Sequence, residues 1–86
     1  MEKYFVYILR SCLDGKFYTG YTSDIRKRLI EHNSGKVNST KKRIPFELVY
    51  FEYSLNLNDA LHREKYLKTT YGKRYIRQRL KNYLTK

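Results

Sequence analysis

From Tyr4 to Leu9 the chain reads Tyr-Phe-Val-Tyr-Ile-Leu, a run without a charged side chain. Tyr4, Val6 and Ile8 alternate with Phe5, Tyr7 and Leu9, so a strand here is apolar on both faces. Such a strand must be covered on each side, and this requires a layered fold. Asp14-Gly15 follows, the dipeptide of a type I′ hairpin turn, in which both central residues need positive φ. The second strand then runs from Lys16 to Tyr21. A two-residue loop at Asp14-Gly15 pairs Leu9 with Gly20 and Ser11 with Tyr18, and sets Tyr7 opposite Thr22. Tyr7 and Tyr18 then share a face, with backbones roughly 13 Å apart at ~3.4 Å per residue.

The rest of the chain supplies the covering layers. Thr22 or Ser23 is a natural N-cap, with Asp24 favourable in the first turn of a helix that runs to about His32. Asn33-Ser34-Gly35 ends it, with glycine near C′. Ile25, Leu29 and His32 share a narrow face of this helix, and Arg28 lies on its flank. Lys36 to Arg43 is a polar, basic loop. Pro45 keeps Ile44 extended, and Phe46 to Tyr53 forms a third strand. Asn58 or Asp59 caps a helix through about Thr70, Gly72 interrupts it, and a last helix from Lys73 to about Leu84 buries Ile76, Leu80, Tyr83 and Leu84. The pattern is ββαβαα: an α+β fold with a small antiparallel sheet flanked by helices. At 86 residues, residues 1–86 make a single domain near the lower limit for a self-supporting core. The 41% hydrophobic and 16% aromatic content, with 10 tyrosines, supplies the bulk.

Net charge is +11, and after Glu64 the chain has eight Lys or Arg and no acid. Self-repulsion of that size is relieved by a polyanionic partner, and nucleic acid, DNA before RNA, is the first candidate. A membrane is disfavoured, because the basic helices carry no exposed apolar face to insert. The apolar run at Phe5 to Leu9 is too short to span a bilayer, and the N-terminus lacks a signal-peptide core; the expected compartment is the cytosol. The single cysteine, Cys12, excludes an internal disulfide and a Cys-based zinc site.

Five residues stand out for chemistry. In a helix from Leu57 to Tyr71, Leu57, Ala60, Leu61, Leu67 and Tyr71 form an apolar arc, and Glu64 falls at its middle. A carboxylate there is costly unless paired or bound to a metal. It either pairs with Lys68 at i+4 or ligates a hard cation such as Mg²⁺, which takes oxygen ligands and keeps most of its waters. Arg28 can grip a phosphate through two parallel hydrogen bonds, or pair with Asp24. His32, one turn on, is either a catalytic imidazole or a satisfied core histidine. Tyr7 and Tyr18 are either core aromatics or a phenol pair. Gly20 serves close approach or a bulge. Arg74, Arg77 and Lys81 form a stripe that, with Lys68 and the loop residues Lys36, Lys41, Lys42 and Arg43, fits sequence-neutral contacts to a phosphate backbone.

In this order these residues resemble the GIY-YIG endonuclease domain, over Tyr4 to about Leu67. Phe5-Val6-Tyr7 stands at the GIY position and Tyr18-Thr19-Gly20 at YIG. Asp24-Ile25-Arg26-Lys27-Arg28-Leu29 matches the helix with the family's arginine. His32-Asn33-Ser34-Gly35 and Ala60-Leu61-His62-Arg63-Glu64-Lys65 resemble the compact, stand-alone UPF0213 branch. The resemblance implies a three-stranded antiparallel sheet and a one-metal phosphodiesterase site. Tyr7 and Tyr18 would orient or deprotonate the attacking water, and Arg28 would hold the scissile phosphate. His32 would support a phenol or the water, and Glu64 would bind Mg²⁺ or Mn²⁺. Three positions depart from family patterns. Phe5 replaces the first glycine, Tyr21 stands where excision-nuclease relatives carry lysine, and Asn82 lies too far along to match an asparagine some relatives place after the glutamate. The expected activity is endonucleolytic cleavage of structured or single-stranded DNA in repair or recombination. The alternatives are a non-catalytic nucleic-acid-binding module on the same scaffold and a protein-interaction module with a ribosomal or repair partner.

Overall fold

The computed structural model describes residues 2–85. The elements run β1 (Tyr4–Ser11), β2 (Phe17–Thr22), α1 (Ile25–Asn33), β3 (Phe46–Ser54), α2 (Leu57–Leu67), α3 (Thr70–Arg79) and α4 (Lys81–Leu84). The sheet is antiparallel throughout, in the order β2-β1-β3. β1 is central and covered on both faces, as its doubly apolar pattern requires. On one face Val6 and Ile8 pack with Ala60, Leu67 and Ile76 of α2 and α3. On the other, Tyr7 and Leu9 pack with Phe46, edged by Tyr18, Leu29, Ile44 and Leu48 under α1. No helix among the described residues is long and apolar enough to cross a membrane.

The hairpin is longer than the sequence predicts. Tyr7 faces Gly20 and Leu9 faces Tyr18, a slip of two residues that preserves which side chains share a face. The connection spans Cys12 to Lys16, and Gly15, at φ 71°, is its one positive-φ residue. The buried Ser11 hydroxyl organises this loop. It accepts from the Leu13 and Asp14 N–H groups at 3.1 and 3.2 Å and donates to the Arg43 carbonyl at 2.6 Å. Asp14 accepts from Lys16 N–H at 2.9 Å and pairs with Arg43 at 2.8 Å. That guanidinium holds the Asp14 carboxyl down at about 2. These side-chain bonds stabilise a wider turn than dipeptide chemistry alone selects.

α1 is capped by Asp24, whose side chain accepts from Lys27 N–H, and not by Thr22 or Ser23. Gly35, at φ 76°, follows the C-cap Ser34 as expected. The helix's end is bolted to β3 by Asn33. Its side-chain amide donates to the Phe46 carbonyl at 3.0 Å and accepts from the Phe46 N–H at 2.7 Å.

The predicted helix through Thr70 ends early, at Leu67, and the predicted last helix from Lys73 to Leu84 starts earlier and is divided at Leu80 into α3 and α4. α2 begins after an Asn56 cap and ends at Leu67; Thr69 then caps α3. Tyr71 therefore belongs to α3 and is exposed, so it adds nothing to the arc around Glu64. Gly72 lies within α3 and does not break a helix. A Cβ there would overlap the Tyr66 carbonyl oxygen and the Leu67 Cα, so glycine lets α3 press against the end of α2. Ile76 is buried, whereas Leu80, Tyr83 and Leu84 are half-buried. Arg63 ties α2 to the sheet through two bonds to Glu52, at 2.8 and 2.9 Å, and lies over the rings of Tyr66 and Tyr75.

Candidate active site

The hydroxyl of Tyr7 is where the fold brings its polar side chains together. β1 delivers the ring, which lies across Gly20 of the neighbouring strand. A Cβ at Gly20 would stand 2.5 Å from the Tyr7 Oη and 2.7 Å from its Cζ. Glycine is thus required for close approach of the phenol, not for a bulge. Tyr18, diagonal to Tyr7, has its ring centroid 6.4 Å away. The slip in register makes the phenols nearer neighbours than the sequence suggests.

α1 places His32 over this pair, fully buried. Its Nε2 is 2.9 Å from the Tyr7 Oη and its Nδ1 is 2.8 Å from the Thr40 Oγ1. The Thr40 hydroxyl donates to the Val37 carbonyl at 3.4 Å. This arrangement suits the tautomer in which Nδ1–H donates to Thr40 and the Nε2 lone pair accepts from the Tyr7 O–H. Burial, then the Arg28 charge, depress the His32 pKa below its usual 6.5, which keeps the ring neutral near pH 7. His32 is a satisfied core histidine and also a base aimed at a phenol. Thr40 carries no sequence signal: it lies across an irregular loop, eight residues from its partner.

Burial pushes the Tyr7 phenol above its usual pKa of 10. Arg28 beside it pulls the other way, while Tyr18 and Glu64 add to the rise. His32 is hydrogen-bonded to this hydroxyl, and Arg28, Tyr18 and, most weakly, Glu64 act on it electrostatically. Arg28 pairs with Glu31 at 3.0 Å and not with Asp24, whose carboxylate is taken up as the helix cap. It also lines an open cleft of about 520 Å³ with Tyr21, Thr22, Ser23, Asp24, Lys27 and Glu31. Glu64 is 15% exposed and its Oε2 is 2.6 Å from the ammonium of Lys68, which is 55% exposed. The i+4 pair is formed, and the influence of the carboxylate on Tyr7 is the weakest of those named.

The GIY-YIG catalytic domain family matches residues 3–79. The chain belongs to the GIY-YIG family. A UPF0213 protein of Staphylococcus epidermidis is 50% identical over 70 residues, covering 80% of this chain and 84% of that protein. A UPF0213 protein of Staphylococcus aureus is 42% identical over 80 residues, covering 92% and 90%. The solution NMR structure of a UPF0213 protein from Bacillus halodurans superposes with a TM-score of 0.53 at 36% identity, covering 86% of this chain and 81% of that one. The three-stranded sheet with flanking helices agrees with GIY-YIG architecture, and family membership points to nuclease activity on nucleic acid.

The donor set of this GIY-YIG site suits one weakly held hard cation. Among the described residues no group of three or more His, Cys, Asp and Glu could cage a metal. Mg²⁺ does not need such a cage, because one or two carboxylates with waters and substrate phosphate hold it. The Lys68 ammonium already places a positive charge on Glu64. Of the cations expected to contact a backbone, Lys36, Lys41, Lys42, Arg74, Arg77 and Lys81 are exposed. Arg43 is engaged with Asp14 and lies over the Phe46 ring, and Lys68 is engaged with Glu64. Arg77 also lines a groove with Arg10, Lys16 and Lys73, cations the sequence did not single out.

Proposed function

We propose that this GIY-YIG chain is a divalent-metal-dependent endonuclease that hydrolyses phosphodiester bonds in structured or single-stranded DNA, with a role in repair or recombination. The observation that carries the reading is the Tyr7–His32 hydrogen bond, with Arg28, Tyr18 and, most weakly, Glu64 acting electrostatically on the same hydroxyl. A buried phenol with a raised pKa is a poor base alone. It becomes an effective one when its own proton leaves as it receives another. Tyr7 takes a proton from the attacking water while His32 Nε2 takes the Tyr7 proton, held in the right tautomer by Thr40. Tyr18 orients the water, and Arg28 binds the non-bridging phosphate oxygens as charge builds on them. Mg²⁺ or Mn²⁺ held at Glu64 would polarise the phosphate and steady the leaving oxygen.

The test is cleavage of labelled flap, fork, Holliday-junction and single-stranded substrates with Mg²⁺ or Mn²⁺. Wild-type protein should nick at least one of them, and Glu64→Ala should abolish nicking while retaining binding. The absence of metal-stimulated cleavage across DNA and RNA panels would favour the second reading, a binding module that has lost turnover. The short Glu64–Lys68 ion pair is the observation that supports that alternative.

A further inference from the structure

The sheet face that carries Tyr7 continues beyond the cluster packed under α1, and there it bears aromatic rings in water. Phe51 is 51% and Tyr53 49% exposed, with Phe5 half-buried between them. The Phe5 ring centroid is 5.9 Å from that of Phe51, edge-on at 70°, and 5.6 Å from that of Tyr53, tilted at 58°. The three rings continue the site residue by residue. Phe51 is the cross-strand partner of Tyr7, and Tyr53 is that of Phe5. On its other side Phe5 faces Thr22, which lines the Arg28 cleft.

Leaving such rings in water forgoes burial energy, and grouped exposed apolar side chains mark a binding surface. The chemistry around them selects the occupant. Both acids of β3 turn to the opposite face, where Glu47 meets Tyr83 and Glu52 is held by Arg63. A second copy of this chain would bring +11 against +11, a repulsive encounter. An anionic strand with flat bases suits both a chain of net charge +11 and the exposed rings.

We propose that Phe5, Phe51 and Tyr53 form a stacking platform for unpaired bases of a nucleic-acid strand whose backbone enters the cleft lined by Arg28. The proposal rests on the nucleic-acid reading above and narrows its substrate class to strands with unpaired nucleotides next to the cleavage point. Every base offers a π face, so the platform discriminates unpaired from paired strands without reading sequence.

The experiment measures binding in EDTA, where no hydrolysis occurs, so a failure of catalysis leaves it untouched. The probes are a single-stranded oligonucleotide carrying 2-aminopurine, a blunt duplex of equal length, and heparin as a polyanion without bases. Wild-type protein should quench 2-aminopurine fluorescence. The Phe51→Leu/Tyr53→Leu variant, which keeps apolar bulk, should bind the single strand at least about tenfold more weakly. Its affinity for duplex and heparin should stay within about twofold, because phosphate contacts are unchanged. Independently of any variant, 5-bromodeoxyuridine cross-linking to wild-type protein should fall on the peptide containing Phe51 and Tyr53. Equal losses on all three probes, an unchanged single-strand affinity, or cross-links confined to other peptides would overturn the platform. So would a wild-type dimer that the variant dissociates, since the rings would then be a self-interface. Wild-type protein that binds none of the three probes would overturn the nucleic-acid reading as well.

Discussion

Gly20 and His32 decide what the Tyr7 hydroxyl can do. Adding one methyl at Gly20 lowers the backbone entropy of the unfolded chain, a gain of about 0.5–1 kcal/mol. It also drives a Cβ into the Tyr7 ring, and overpacking costs about 1–3 kcal/mol. The second effect wins because the ring is buried and cannot retreat. Gly20→Ala should therefore lower the urea midpoint and move the phenol off His32; an unchanged midpoint would show that the ring yields. His32 gives a pH signature. Its folded pKa lies below the unfolded value of 6.5, so the unfolded chain binds the proton first. The neutral-ring contribution to stability is complete above pH 6.5 and is lost as the pH falls through 6.5 toward the folded value. Thermal melts from about pH 7.5 to 5 should show this fall, and His32→Gln should flatten it. Equal slopes in the two proteins would contradict the buried neutral imidazole.

Among the elements, one arginine bridges layers that the sequence shows only separately. Arg63 makes paired hydrogen bonds to Glu52 on β3 and lies over Tyr66 of α2 and Tyr75 of α3. Charged hydrogen bonds and cation–π contacts of this kind together contribute about 2 kcal/mol. Arg63→Ala should cost that much in urea unfolding, whereas Lys42→Ala in the exposed loop should change stability by less than about 0.5 kcal/mol. Strand positions and their faces were legible in the sequence, because period-2 patterning is set by burial. Boundaries set by side-chain hydrogen bonds were not. The Ser11 hydroxyl widened the hairpin, Asp24 took the cap from Thr22 and Ser23, and Thr69 capped α3 ahead of the predicted start at Lys73. Gly72 read as a break because composition does not reveal that two helices meet there.

Across the whole molecule, Tyr7, Tyr18, Arg28, His32 and Glu64 could be singled out in sequence because chemistry restricts their residue types. Their partners could not. Thr40, Asn33 and Arg63 hold the arrangement through contacts between distant segments, which no local pattern encodes. The same long-range assembly puts the aromatic rings of β1 and β3 beside the cleft. Since Gly20 of β2 and His32 of α1 both meet the Tyr7 hydroxyl, removing that one oxygen questions the entire account. The measurement is single-turnover cleavage by Tyr7→Phe beside wild-type protein, on whichever structured or single-stranded substrate the wild type nicks, with binding measured in parallel. The account predicts a rate loss of about 100-fold or more, as for removal of a general base, with affinity unchanged. A variant that cleaves at the wild-type rate would contradict it.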